Sequence, residues 1–174
     1  MIPVRFTPRR AFALGAAVCA LLLGYGYFLQ HVQGLEPCPL CLVQRGFFYA
    51  LLAVFMAAAL HAPGRTGLVA YGALAALFAL GGAATATRQV WLQHLPADKV
   101  PDCGPDLFFM LENFPLLQTL KKLVAGSGEC AKVDWTFLGF SIAEWSLAWF
   151  CALAAYAVWL CLRLKSGSGC AAVA

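Results

Sequence analysis

Charge is what this sequence has least of. Asp, Glu, Lys and Arg make up 11% of its residues, against about a quarter in an average soluble domain, and 62% are hydrophobic. Water alone would not keep such a chain dissolved. Charge is missing altogether from residues 11–29 and 68–87, stretches that reach or approach the ~20 apolar residues a helix needs to cross a bilayer. Residues 42–60 are apolar except for Gln44 and Arg45 near their start, and 145–162 carry no charge. The fold predicted is an all-α membrane protein: a four-transmembrane-helix bundle in one domain, 1–165, followed by a flexible inner tail, 166–174. No internal repeat is present.

Acidic residues are absent from one side of the predicted membrane. Short cytoplasmic segments hold an excess of Lys and Arg, and three segments fit that description: the N-terminus (Arg5, Arg9, Arg10), the 61–67 loop (Arg65) and the tail (Arg163, Lys165). All eight acids, Glu36, Asp98, Asp102, Asp106, Glu112, Glu129, Asp134 and Glu144, fall on the other side, together with Lys99, Lys121, Lys122 and Lys132. This asymmetry puts both termini in the cytoplasm and the loops at about 30–41 and 89–141 outside. The basic balance therefore reads as topology, and no nucleic acid is expected as a partner. The first span follows a positive segment, as a cleaved secretory signal would. Its apolar run exceeds the usual ~7–15 residues and no small-x-small cleavage site follows, so a signal anchor is the reading.

Cofactor motifs are lacking too. There is no G-x-G-x-x-G, no C-x-x-C-H and no four-cysteine iron–sulfur spacing, which removes nucleotide, haem and iron–sulfur chemistry from the sequence readings. What is present is eight cysteines. Cys19, Cys151 and Cys161 lie within spans, where a thiol behaves as a small hydrophobe; Cys170 in the tail is read the same way, with lipidation as the alternative. Cys38, Cys41, Cys103 and Cys130 all fall in the outer loops.

Cys38-Pro39-Leu40-Cys41 has the spacing of a small, reducible disulfide ring. Pro37 and Pro39 precede the 42–60 span, and Pro favours a first helical turn, so Cys41 should sit near a helix N-terminus, where unpaired N–H groups favour a thiolate. Arg45 is one helical turn on and adds a fixed cation. The competing uses are a zinc site, which Cys103 and Cys130 are spaced too far apart to complete in the usual way, and a set of structural disulfides. Thiol–disulfide exchange is the reading preferred. It needs an acceptor for its electrons, and with the cofactors above absent, a membrane-soluble quinone suits the location. In the long outer loop, residues 106–124 read as an amphipathic helix interrupted by Pro115, lying in the interface plane or packed on its own domain. Trp135, Phe137, Trp145 and Trp149 would form an aromatic belt.

An ordered set of residues matches a known family. Gln30-His31-Val32, Pro37-Cys38-Pro39-Leu40-Cys41, Gln44-Arg45, Arg88-Gln89-Val90-Trp91-Leu92-Gln93, Cys103-Gly104-Pro105 and Gly128-Glu129-Cys130, with Trp135, Phe137, Leu138 and Gly139, resemble the DsbB family of inner-membrane disulfide-bond formation proteins over roughly 28–149. The resemblance implies a quinone-dependent protein-thiol oxidoreductase of the bacterial inner membrane, with its active cysteines in the periplasm. Such a protein reoxidises a DsbA-like periplasmic thiol oxidase and passes the electrons to ubiquinone or menaquinone. It also implies roles. Cys103, paired with Cys130, is attacked by the partner's thiol; Cys130 and Cys38 exchange between loops; Cys41 is left as the thiolate that meets the quinone, with Arg45 beside it. Candidate cofactor contacts are Arg45, His94 and Gln30, and no metal is expected. Gln30 and His31 are also candidates to cap the first helix. A vitamin K epoxide reductase-like protein would carry its loop cysteines before the C-x-x-C, the reverse of the order here. A non-catalytic membrane protein with structural disulfides would be expected to bury charged residues inside its spans, and these carry only Arg45, with Gln44 beside it at one end.

Overall fold

The computed structural model of the chain describes residues 7–61, 63–96, 115, 126 and 128–166. Apolar runs without proline beyond the first turn give four long helices: α1 Pro8–Val32, α2 Pro39–His61, α3 Arg65–Gln93 and α4 Ile142–Ser166. Each is long and apolar enough to cross a membrane, so the expected four-helix membrane bundle is the architecture found. Pro8 and Pro39 occupy first helical positions, where the missing N–H would have had no intrahelical partner.

The helices outrun the spans read from the sequence. α1 continues to Val32 where 29 was expected, and α3 to Gln93 where 87 was expected. Hydropathy marks where a helix leaves hydrocarbon, whereas the helix itself ends only where its backbone finds other partners. Gln30, His31, Arg88 and Gln89 therefore stand on helices and not in loops; the residue that closes α1 is Gln33. Ser166, placed in the tail by sequence, ends α4. The expected loop helix at 106–124 lies outside the described residues, Pro115 excepted.

Between α3 and α4 the chain forms a 3-10 turn at Gly128–Ala131 and a two-residue hairpin pairing Thr136 with Ser141 and Phe137 with Phe140. An all-helical reading did not foresee this hairpin, because strands this short carry no period. Its turn residues, Leu138 (φ 54°) and Gly139 (φ 83°), both take the positive φ that a type I′ turn demands. Ser141 then starts α4 with a capping box: its N–H donates to Glu144 Oε2 (2.7 Å) and its Oγ accepts from the Glu144 N–H (3.3 Å).

The helices pack in chain order, α1 on α2, α2 on α3, and α3 most extensively on α4. Lipid is as apolar as these side chains, so helices associate by close fit. Small residues on α3 supply it. A Cβ on Gly82 would fall 2.3 Å from the Phe150 ring, which itself stacks on Phe48 at 4.1 Å between centroids. α1 and α4 meet little, yet near one end the Tyr156 hydroxyl donates to the Ala11 carbonyl (2.8 Å). Arg65 closes the same end by donating to the Leu164 and Lys165 carbonyls in the last turn of α4.

Gly82→Ala should therefore destabilise the bundle by about 1–3 kcal/mol through overpacking, seen as a lowered thermal midpoint in detergent. Gly24→Ala, whose Cβ meets nothing within 4 Å, should not lower it.

Candidate functional site

The site begins at the first turn of α2. Cys38 precedes Pro39 and acts as the helix cap: its carbonyl accepts from Leu42 N–H (3.1 Å) and its sulfur accepts from Cys41 N–H (3.4 Å), the task a serine or aspartate oxygen usually performs. The C-x-x-C spacing then stacks the two thiols on one turn, with Sγ atoms 3.0 Å apart.

A third cysteine is delivered by apolar packing. Cys130 is buried with Leu40 and Leu92 in a small cluster separate from the main core, and Cys38, Leu95 and Ala131 surround it. Gly126 lets the incoming chain approach this closely: its φ is 79°, and a Cβ there would lie 2.4 Å from Leu92 Cδ1. The result is a hydrogen bond between the Cys130 and Cys38 thiols. That bond first, then the one to Cys41, then burial, hold the Cys38 thiol far above its ordinary pKa. At neutral pH Cys38 is a thiol, and the pull of the helix N-terminus toward thiolate is outweighed. Three of the four expected cysteines are thus side by side, while Cys103 lies outside the described residues.

Two glutamines complete the cluster, and sequence reasoning named neither as a site residue. Gln89 is 4% exposed, and its Nε2 lies 3.4 Å from Cys38 Sγ and 3.3 Å from Cys41 Sγ. Its Oε1 accepts from Gln44 Nε2 at 2.7 Å, and Gln44 is 3% exposed. A signal existed, since Gln44 is one of two polar residues in an otherwise apolar span and a buried amide needs a polar partner.

Arg45 takes a different place from the one expected beside Cys41. Its guanidinium donates to Gln30 Oε1 (2.5 Å) and to the Gly26 carbonyl (3.1 Å) on α1, over the Tyr27 ring at 5.0 Å. The immediate neighbours of the Cys41 sulfur are Cys38 and Gln89. Arg45, Gln30 and Cys41 nevertheless line one cavity of about 330 Å³, walled by Leu22 and Leu29 of α1 and by Trp145 and Trp149 of α4. Trp135 and Phe137, stacked on each other, also line it, and Trp145 Nε1 donates to the Phe137 carbonyl (3.1 Å), fixing the hairpin to α4. A second, more polar cavity of about 430 Å³ adjoins both Cys38 and Cys41, with Glu36, Glu129, Lys132 and Asp134 on its walls. His94, a candidate cofactor contact, is on neither: it is exposed at the end of α3 with Nδ1 2.9 Å from the Val90 carbonyl.

Comparison with known proteins gives one answer. Residues 8–160 match the family model described as "Disulfide bond formation protein DsbB". The "Disulfide bond formation protein B" of Methylococcus capsulatus is 50% identical over 150 residues, covering 86% of this chain and 92% of that protein. Its namesake in Aromatoleum aromaticum is 49% identical over 159 residues (91% and 95%), and "Disulfide bond formation protein B 1" of Pseudomonas aeruginosa is 42% identical over 157 (90% and 96%).

Because the Cys130 thiol is the largest cause of the raised Cys38 pKa, Cys130→Ala should let Cys38 ionise at lower pH. In the fully reduced chain, Cys38 should react with iodoacetamide only well above the ~8.5 of an ordinary thiol, and the variant's profile, followed by peptide mass spectrometry, should move down toward it.

Proposed function

This chain belongs to the DsbB family of disulfide bond formation proteins, and from that premise we propose that it reoxidises a DsbA-like periplasmic thiol oxidase and delivers the electrons to ubiquinone or menaquinone in the bacterial inner membrane. Both termini would then face the cytoplasm and the cysteines the periplasm. The observation that carries the reading is the position of Cys41, whose sulfur belongs to the thiol cluster while its side chain walls the apolar cavity.

A quinone suits that cavity on its own chemistry. At about 330 Å³ it is within the ~300–1,000 Å³ of small-molecule pockets, its tryptophan and leucine walls match a ring and an isoprenoid tail, and its polar side chains include Arg45, Gln30 and Gln44. When bound, the quinone supplies a two-electron acceptor. The chain's own residues do the rest. The partner's reduced thiol attacks Cys103 of a Cys103–Cys130 disulfide, and Cys130 is released. Cys130 attacks Cys38, to which it is hydrogen-bonded in this dithiol arrangement, and Cys41 is freed as a thiolate at the cavity wall. Arg45, held by Gln30 and Gly26, supplies the one cation lining that cavity among the described residues, and the aromatic side chains of α4 and the hairpin give it an apolar wall.

Purified protein should oxidise a reduced DsbA-like partner only when quinone is added. Cys41→Ser should abolish quinone reduction, and turnover surviving that change would sink the assignment. Arg45→Met should raise the KM for quinone about tenfold or more, the scale of one charge-assisted contact, while leaving mixed-disulfide formation at Cys103 intact. Equal loss of both activities would make Arg45 structural.

A further inference from the structure

Gln89 touches both sulfurs of the C-x-x-C pair from another helix. It is buried on α3, 48 residues from Cys41 and 51 from Cys38 in sequence, yet its amide nitrogen is within 3.4 Å of both sulfurs. The amide cannot turn around freely, because its oxygen is held by the Gln44 amide at 2.7 Å, and Gln44 is itself buried. The donor end is thereby aimed at the sulfurs. We propose that Gln89 is a catalytic residue of the exchange step, an uncharged clamp that steadies the Cys41 thiolate as the Cys38–Cys41 bond breaks.

This rests on the exchange order above. In the step concerned, the Cys130 thiolate attacks the Cys38 sulfur; the Cys38–Cys130 bond forms, the Cys38–Cys41 bond breaks, and the electron pair of the broken bond leaves on Cys41. One disulfide replaces another, no proton has to move, and no outside oxidant is consumed. Negative charge passes from one sulfur to the other, from buried Cys130 to part-buried Cys41, beside the buried Gln89 amide. A buried anion without a donor is costly. The Gln89 amide has two N–H groups, enough for both Cys38 and Cys41 at the distances seen, and its oxygen can accept from the Cys41 thiol (3.6 Å) when that sulfur is protonated. A lysine or arginine here could also donate, but would bring a charge needing burial of its own. A glutamine serves both protonation states without one.

The test uses the full-length chain in detergent with neither quinone nor partner present, so that it does not depend on the overall activity. In a Cys103→Ser, Cys130→Ser, Cys170→Ser background, with Cys19, Cys151 and Cys161 within the helices, Cys38 and Cys41 are the pair whose disulfide equilibrates with glutathione. Gln89→Met, close in volume but without a donor, should shift that equilibrium about tenfold toward the disulfide, which is about 30 mV for a two-electron couple, and should slow alkylation of Cys41 at neutral pH by a similar factor. Gln89→Glu keeps an acceptor for Gln44 but loses the amide donors, so it should behave like Gln89→Met. An unchanged equilibrium in the methionine variant, or full retention of the parent's value in the glutamate variant, would overturn the proposal. A shift in Gln89→Met alongside a parent chain that lacks quinone-dependent turnover would defeat the proposed function and leave the role of Gln89 standing; normal turnover with no shift would do the reverse.

Discussion

Everything at the cysteine end of this bundle depends on how α2 starts. A helix entering hydrocarbon must satisfy its backbone from within, and the first turn is where that fails, because its N–H groups have no carbonyl before them. Pro39 removes one of those donors and the Cys38 sulfur accepts from another, the Cys41 N–H, while the Cys38 carbonyl takes the first regular helical bond from Leu42. The cap of the helix and the C-x-x-C pair thus share one sulfur. A cysteine at that point is held rigidly, exposed to the favourable end of the helix dipole, and carried to the edge of the apolar layer without a separate scaffold.

Once the turn is set, two kinds of packing bring the other residues of the cluster to it. Apolar contact among Leu40, Leu92 and Cys130, with Gly126 making room, fixes a cysteine that is 92 residues from Cys38 in the chain. Polar contact between Gln44 and Gln89 ties α2 to α3 directly beside the sulfurs. The first rests on the packing of Leu40 and Leu92 around Cys130 and serves as support. The second answers to the charge on its neighbours and so can take part. The site has an apolar cavity on one flank and a polar one on the other, and among the described residues Cys41 is the one cysteine that lines both.

How much of this was legible in the sequence follows from which forces leave local traces. Long uncharged runs announce membrane helices, and a C-x-x-C after proline announces a capped thiol pair; both depend on neighbours in sequence. Arg45 was visible as a charge where charge is costly, but its direction was not, because it is set by Gln30 and Gly26 across a helix interface. Gln89 left no such local trace, since its burial depends on α3 continuing past the hydropathy boundary at 87 to Gln93. The aromatic residues 135, 137, 145 and 149 read as an interfacial belt, yet all four line the cavity. That difference turns on a hairpin of two-residue strands, which no periodicity could reveal.

The bundle is also asymmetric along its length, and the asymmetry has a physical cause. α1 and α4 are joined at the far end by the Tyr156 hydroxyl on Ala11, with Phe12, Phe55 and Tyr156 in ring contact around it, and Arg65 caps α4 there. Toward the cysteine end the same two helices part around the apolar cavity, with Leu22 to Gln30 on one wall and Trp145 and Trp149 on the other. A four-helix bundle closed at both ends would have no room beside Cys41, and one open at both would lose the tight fit on which helix association in lipid depends. The bundle is fastened at one end and parted at the other. The space beside Cys41 is therefore a consequence of where the bundle is tied as much as of the residues that line it.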